Sequence, residues 1–167
     1  MPGERERLDA EASCRQLMMR YAAAMDLHDL ELFMTVLSPD IHWVRPGMAP
    51  MCSHVEIRMF MENLWRARGA INPNYLDVHL ITTCSIEVEA ADRARGATWC
   101  MMYSAPEHDG AGPAPMPAVP ELIVLYRDRF VRLVDGWRIA EHEAEHLFRS
   151  PVYSKPPIPV SLQTPQG

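Results

Sequence analysis

Apolar residues in the first part of the chain recur every three to four positions, the spacing of one face of an α-helix. One such face extends from about residue 8 to residue 25 and comprises Leu17, Met18, Tyr21, Ala22 and Met25. A shorter run, from residue 30 to residue 37, predicts a second helix. It should end before Ser38-Pro39-Asp40, where the chain is expected to turn, because Pro disfavours the helical conformation of the residue before it.

A third helix is predicted from residue 53 to about residue 68. Ser53 is a suitable N-cap, and Glu56 stands three positions later, as a capping box requires. The inner face of this helix is expected to consist of Val55, Met59, Phe60 and Leu64. A short strand, residues 41–44, should precede it, and Pro46-Gly47 should stop that strand.

After Gly69 the period of the pattern changes from near four to two, which is typical of β-strands. The first long strand covers residues 75–88 and should place its alternating apolar side chains on one face: Leu76, Val78, Leu80, Thr82, Cys84, Ile86 and Val88. Further strands are predicted at 94–103, 122–134 and 137–148, and Asp135-Gly136 is a strong hairpin signal between the last two.

Helices followed by a meander of long strands predict an α+β fold. We expect a strongly curved antiparallel (mixed) sheet and three to four N-terminal helices, which together form a cone around an apolar pocket. Residues 1–150 should form one domain. Residues 104–120, rich in Pro, Gly and Ala, should be a flexible loop, with a lid as the alternative, and residues 151–167 a Pro-rich tail.

The composition of the chain argues against several classes of partner and site. The chain has 22 acidic and 16 basic side chains, a formal charge of -6, and its Arg residues are scattered, so nucleic acid and membrane are not expected as partners. The polar N-terminus predicts a cytoplasmic protein. The four Cys residues are widely spaced, which favours buried or half-buried free thiols over a zinc site or a disulfide framework.

Three residues carry the candidate chemistry: Tyr21, Asp26 and His79. A carboxylate that orients an imidazole, with a phenol nearby, can move a proton on a small organic molecule. Two simpler interpretations remain open at this point. Asp26 could cap the second helix, although Asp29 or Ser38 could do that instead, and His79 could be a hydrogen-bonded core residue.

These residues and the element order resemble the SnoaL-like group within the cone-shaped fold of nuclear transport factor 2. That group includes scytalone dehydratase, bile-acid 7α-dehydratase, hexachlorocyclohexane dehydrochlorinase, polyketide cyclases and ketosteroid isomerases. The resemblance covers about residues 8–148. Its motifs are Tyr21-x4-Asp26, Leu37-Ser-Pro-Asp40, His79, Tyr126-Arg-Asp-Arg-Phe130 and Asp135-Gly-Trp-Arg-Ile139.

The resemblance implies that Tyr21, Asp26 and His79 are the catalytic residues. It also shows two departures. The dehydratase and the dehydrochlorinase have an arginine on the final strand, where this chain has His142, Ala144 and His146, and a dehydratase aspartate maps near Met102. The residues expected to contact substrate are therefore His142, His146, Trp43, Trp99 and Met102. His142 and His146 could also suggest a metal, but no third ligand is evident, so none is predicted.

The resulting hypothesis is a cofactor-independent dehydratase-type lyase with a small hydrophobic substrate, such as a cyclic, polyketide or steroid-like compound. The alternatives are an isomerase or cyclase with the same Asp-His dyad, and a non-catalytic ligand-binding cone such as the small subunit of an oxygenase. The relatives form trimers or dimers, so the resemblance implies a homotrimer or homodimer.

Overall fold

A computed structural model describes residues 2–105 and 107–151. The elements in chain order are α1 (Glu4–Leu27), α2 (Leu30–Val36), β1 (Leu37–Val44), α3 (His54–Ile71), β2 (Leu76–Ala90), β3 (Arg93–Ala105), β4 (Leu122–Leu133) and β5 (Gly136–Arg149). The strands form one curled, unclosed sheet in the order β1-β5-β4-β3-β2. β1 runs parallel to β5 and every other pair is antiparallel, so the predicted α+β fold with a mixed sheet is confirmed.

The boundary between α1 and α2 determines where Asp26 points. His28 adopts a left-handed conformation with φ 52° and ends α1. Asp29 then caps α2, and its side chain accepts a hydrogen bond from the backbone N–H of Leu32. Asp26 is therefore not the cap of α2, and its carboxylate in the last turn of α1 can face the sheet.

The chain does not turn at Ser38-Pro39-Asp40, contrary to the sequence prediction. β1 begins at Leu37, directly after α2, and its register with β5 shifts between Leu37 and His42. Pro39 is tolerated inside the strand because it lies within this irregular stretch, where the regular ladder of hydrogen bonds is interrupted.

The buried face of β2 changes sides halfway along the strand. Asp77 and His79 are buried in the first half, whereas Ile86 is buried in the second. The register with β3 shifts between Ile81 and Thr83, and this one-residue bulge exchanges the two faces. The prediction of a single apolar face was wrong for the first half, where Leu76 and Leu80 are exposed.

The buried stripe of α3 also differs from the predicted one. Val55 and Met59 are exposed, and the residues that pack inward are Ile57, Phe60, Met61 and Leu64. These four follow the i, i+3, i+4, i+7 spacing of one helix face, whereas the predicted set combined two adjacent stripes. The predicted N-cap is confirmed, because the Ser53 hydroxyl accepts a hydrogen bond from the backbone N–H of Glu56.

The predicted C-terminal hairpin is confirmed, but its two turn residues lie one position earlier than the expected Asp135-Gly136. Val134 and Asp135 make its turn, and Gly136 follows with φ 120°, a conformation that favours glycine. The predicted loop 104–120 begins later than expected, since Ser104 and Ala105 belong to β3 and Ser104 is buried. The tail is described only as far as residue 151. Among the described helices, none is both long and apolar enough to cross a membrane.

Candidate active site

A cavity of about 370 Å³ lies between the concave face of the sheet and helices α1 and α3. Apolar side chains such as Met25, Leu64, Met102 and Val124 form part of its wall. The wall is less apolar than expected, because it also contains many ionisable groups. These include Arg45, Arg68, Asp77, His79, Glu121 and His142.

The structure brings Asp26 and His79 together. Nδ1 of His79 lies 2.5 Å from Oδ1 of Asp26, and the backbone N–H of His79 donates to the same carboxylate at 3.0 and 3.1 Å. The His79 side chain is 4% exposed and the Asp26 side chain 24%. Asp26 therefore holds both the ring and the backbone of His79, and it does so across the contact between α1 and β2.

This geometry assigns the ring nitrogens of His79 different roles. Nδ1 carries the hydrogen that is donated to Asp26, since a carboxylate only accepts hydrogen bonds. Nε2 makes no hydrogen bond to any residue in the described part of the chain. Because His79 lines the cavity, the neutral ring presents a lone pair that can accept a proton there.

Tyr21 lines the same cavity and is 3% exposed. Its ring packs against Phe33 and Tyr126, and the ring of His142 lies 4.7 Å away between centroids. Burial raises the pKa of the Tyr21 hydroxyl above its ordinary value, although nearby Arg45 opposes the change. The hydroxyl thus stays protonated at neutral pH and can serve as a hydrogen-bond donor.

A second acid-bound imidazole lies in the inner wall of the cavity. His142 Nδ1 is 2.7 Å from Asp128 Oδ1, and both side chains are almost fully buried. Burial raises the pKa of Asp128, and the bond to His142 opposes that rise. The sequence analysis singled out His142 but missed Asp128. The signal was available, because Asp128 alternates with Tyr126 and Phe130 on the inward face of β4.

A network of buried polar groups forms another part of the wall. Arg68 donates to Asp77 at 2.7 Å, and the Ser104 hydroxyl lies 2.5 Å from both Asp77 Oδ1 and Glu121 Oε2. A hydroxyl has one hydrogen and can donate to only one of these carboxyl groups. Glu121 and this network were not predicted.

The remaining predicted contact residues divide into two groups. Met102, which pairs with His79 across the β2-β3 ladder, and His146 both line the cavity. Trp43 and Trp99 do not. Trp99 lies between the buried Thr98 and Cys100 on β3 and so faces the opposite side of the sheet, while Trp43 is 1% exposed and packed between Phe33 and Phe60. The prediction that Trp43 and Trp99 line the pocket was wrong.

Arg45 is a cavity residue that the sequence analysis missed. It comes directly after β1, and continued alternation from Ile41 and Trp43 directs its side chain inward. Its guanidinium lies 5.4 Å from the Trp43 ring centroid and 5.5 Å from that of Phe60. The prediction ended the strand at Val44, so the alternation was not carried one residue further.

A metal site was not predicted from the sequence. In residues 2–105 and 107–151, no group of three or more His, Cys, Asp or Glu side chains lies close enough to hold a metal ion. The rings of His142 and His146 have other neighbours, since Asp128 binds the first and Arg149 lies 3.4 Å from the second.

Comparisons with known proteins agree with the fold. Residues 6–143 match the model of a family described as SnoaL-like domain. A search of curated proteins found no match. Among solved structures, hexachlorocyclohexane dehydrochlorinase LinA-type3 from Novosphingobium barchaimii is 13% identical, and the alignment covers 93% of this chain and 100% of that one with a TM-score of 0.70.

Two structures from Novosphingobium aromaticivorans are similar as well. A protein proposed to be a scytalone dehydratase is 12% identical over 89% of this chain and 91% of its own, with a TM-score of 0.68. An NTF2-like protein with a cystatin-like fold is 21% identical over 86% of each chain, with a TM-score of 0.67. At these identities the similarity establishes the fold and leaves the chemistry to the site.

Proposed function

The chain belongs to the SnoaL-like domain family, as its motifs suggested, and we propose that it is a cofactor-independent lyase that uses Asp26 and His79 to eliminate a small leaving group. The observation that carries the proposal is the 2.5 Å contact between His79 Nδ1 and Asp26 Oδ1 at the wall of a cavity large enough for a small organic molecule. Family relatives that include dehydratases and dehydrochlorinases support the reaction class.

His79 is the general base of the proposed reaction. Its Nε2 takes a proton from a carbon next to an activating group, and the electron pair of that C–H bond forms the new double bond. Asp26 keeps the ring in the tautomer whose lone pair is on Nε2 and stabilises the positive charge that develops on the ring. The bonds from the backbone N–H of His79 fix the carboxylate of Asp26, and the bond from Nδ1 to that carboxylate limits rotation of the ring.

Tyr21 assists the departure of the leaving group. The leaving group departs with its bonding electrons and accepts a hydrogen bond from the Tyr21 hydroxyl. It then takes the proton from His79, so that a hydroxyl leaves as water and the ring returns to its neutral form. Burial of Tyr21 supports this role, because its raised pKa keeps the hydroxyl protonated, and therefore a donor, at neutral pH.

The experiment compares wild-type protein with the His79→Ala variant on a panel of cyclic β-hydroxyketones and chlorinated cyclohexanes, with products identified by mass spectrometry. Loss of the general base should lower kcat by about 10² to 10⁴. Circular dichroism should show the same secondary structure and a cooperative thermal transition, since the backbone N–H of residue 79 still binds Asp26 after the ring is removed.

The matched control is His42→Ala, which removes an exposed imidazole from β1 on the other side of the sheet. Its activity should equal that of the wild type. A His79→Ala variant with full activity would contradict the mechanism. A product with the same mass as the substrate would indicate isomerisation or cyclisation by the same dyad, and an inert wild-type protein would favour a non-catalytic binding cone.

A further inference from the structure

Arg45 is a half-buried residue of the cavity wall whose guanidinium has no ion-pair partner among the described residues. Arg68 is paired with Asp77, and His79 and His142 are each bound to an aspartate. Within residues 2–105 and 107–151, no carboxylate forms an ion pair with Arg45, and its buried Nη1 has no hydrogen-bond partner. A guanidinium removed from water normally needs acceptors for its N–H groups.

The rings beside Arg45 hold it in position without satisfying those donors. Trp43 and Phe60 contribute cation–π attraction to the guanidinium, which fixes its place near the cavity. They offer no acceptor for hydrogen bonds directed along the plane of the guanidinium. The N–H donors of Arg45 are therefore preorganised for an acceptor that enters the cavity.

The other charged side chains of the cavity wall also favour an anionic ligand. Three guanidinium groups line the cavity, from Arg45, Arg68 and Arg149, compared with the two carboxyl groups of Asp77 and Glu121. The carboxylate of Asp77 is already bound to Arg68. Among the side chains that line the cavity, basic groups therefore outnumber carboxyl groups.

We propose that Arg45 is an anion-binding subsite, and that the ligand of this cavity combines an apolar body with a carboxylate or an equivalent oxyanion. This inference rests on the proposed function, because it assumes that the substrate binds in the same cavity. It adds that the substrate is an organic anion and that Arg45 selects it. A planar guanidinium suits a carboxylate because it can donate two parallel hydrogen bonds.

The test uses a pair of probes that have nearly the same shape and differ in charge, 2-naphthoate and 2-naphthamide. Isothermal titration calorimetry on the purified full-length protein at pH 7 measures the affinity of each. The wild type should bind the carboxylate more tightly by about tenfold or more, as expected for charge-assisted hydrogen bonds in a buried site. Arg45→Met should bind the two probes equally, with little change in its affinity for the amide.

Arg45→Lys keeps the charge and should retain part of the preference, which keeps the test valid if the Met variant folds poorly. Arg127→Met, which removes an exposed arginine from the outer face of β4, should leave both affinities unchanged. The proposal would be overturned if the wild type bound the two probes equally or bound neither. It would also be overturned if Arg45→Met still preferred the carboxylate.

This result is separate from the test of the lyase mechanism. Binding of the anion does not require proton transfer, so a His79→Ala variant that is fully active would remove the mechanism and leave the anion subsite in place. Conversely, a cavity without preference for the carboxylate would remove the subsite and leave the role of His79 open to its own assay.

Discussion

At the scale of single residues, burial decides which groups can react. His79 and His142 both line the cavity, and each is bound to an aspartate through Nδ1. His142 differs in its surroundings, since it is 1% exposed, its aspartate is fully buried, and the rings of Tyr21 and Tyr126 lie against it. We therefore assign the base to His79, and we regard the pair of His142 and Asp128 as support for the inner wall.

Burial also decides which of the four cysteines can react, since all four are free thiols. Burial raises the pKa of Cys14 and that of Cys100 to about 12, and Cys84, half-buried, also has a raised pKa. Cys52 is exposed, although burial or half-burial was expected for all four. A thiol with a pKa near 12 is only about one part in 10⁴ thiolate at pH 8, and thiolate is the reactive form.

The prediction is that Ellman's reagent at pH 8 modifies one thiol rapidly in the native protein and all four after denaturation. The Cys52→Ser variant should lose the rapid phase and keep its thermal stability. Rapid modification of three or four thiols in the native protein would contradict the burial of Cys14 and Cys100.

At the scale of the elements, Ser104 joins β2 to the start of β4, and Arg68 extends the link to α3. Arg68 forms an ion pair with Asp77, and the Ser104 hydroxyl contacts both Asp77 and Glu121. A glutamine at position 121 keeps an oxygen that accepts hydrogen bonds and adds an amide N–H that donates them. The contact with Ser104 therefore does not need a negative charge at position 121.

Urea denaturation of two variants tests this arrangement. Glu121→Gln should change the free energy of unfolding by less than about 1 kcal/mol, because an amide at this position can still bond to the Ser104 hydroxyl. Ser104→Ala should cost about 1–3 kcal/mol, since it leaves two buried carboxyl groups without their shared hydroxyl. If Glu121→Gln proves as destabilising as Ser104→Ala, the contact with Ser104 depends on the carboxyl group of Glu121.

At the scale of the whole molecule, the two faces of the sheet have different chemistry. The concave face carries the cavity. The convex face is covered with exposed ion pairs, among them Arg95 with Glu87, Arg127 with Glu145, and Arg129 with Glu141. Exposed pairs of this kind add little to the stability of one chain, but a regular array of both charges suits contact with a second copy.

The homodimer or homotrimer implied by the resemblance stays a prediction, and light scattering after size exclusion can measure it. We expect a mass two or three times 19.0 kDa at low ionic strength. If the convex face forms the interface, about 1 M salt should shift the mass toward 19.0 kDa, because salt screens exposed charges. A mass of 19.0 kDa at low salt would contradict the oligomer, and an oligomer insensitive to salt would exclude this face as the interface.

The sequence by itself determined the features that depend on local pattern. The helical spacing of Leu17, Met18 and Tyr21, the N-cap at Ser53 and the hairpin at Asp135-Gly136 were readable because caps, turns and amphipathic faces involve residues close together in the chain. These signals predicted the α+β fold. The resemblance to SnoaL-like proteins then placed Tyr21, Asp26 and His79 at one site, where the structure brings all three to the cavity or its edge.

Only the tertiary structure decided which side chains enter the cavity. The bulge after Ile81 allows His79 and Ile86 to face inward on the same strand, and the backbone just after β1 continues the alternation that directs Arg45 toward the cavity. In a strand, a shift of one residue moves a side chain to the opposite face. Such a shift depends on pairing with residues distant in the chain, so Arg45, Asp128 and Glu121 could be recognised as parts of one wall only after the sheet had formed.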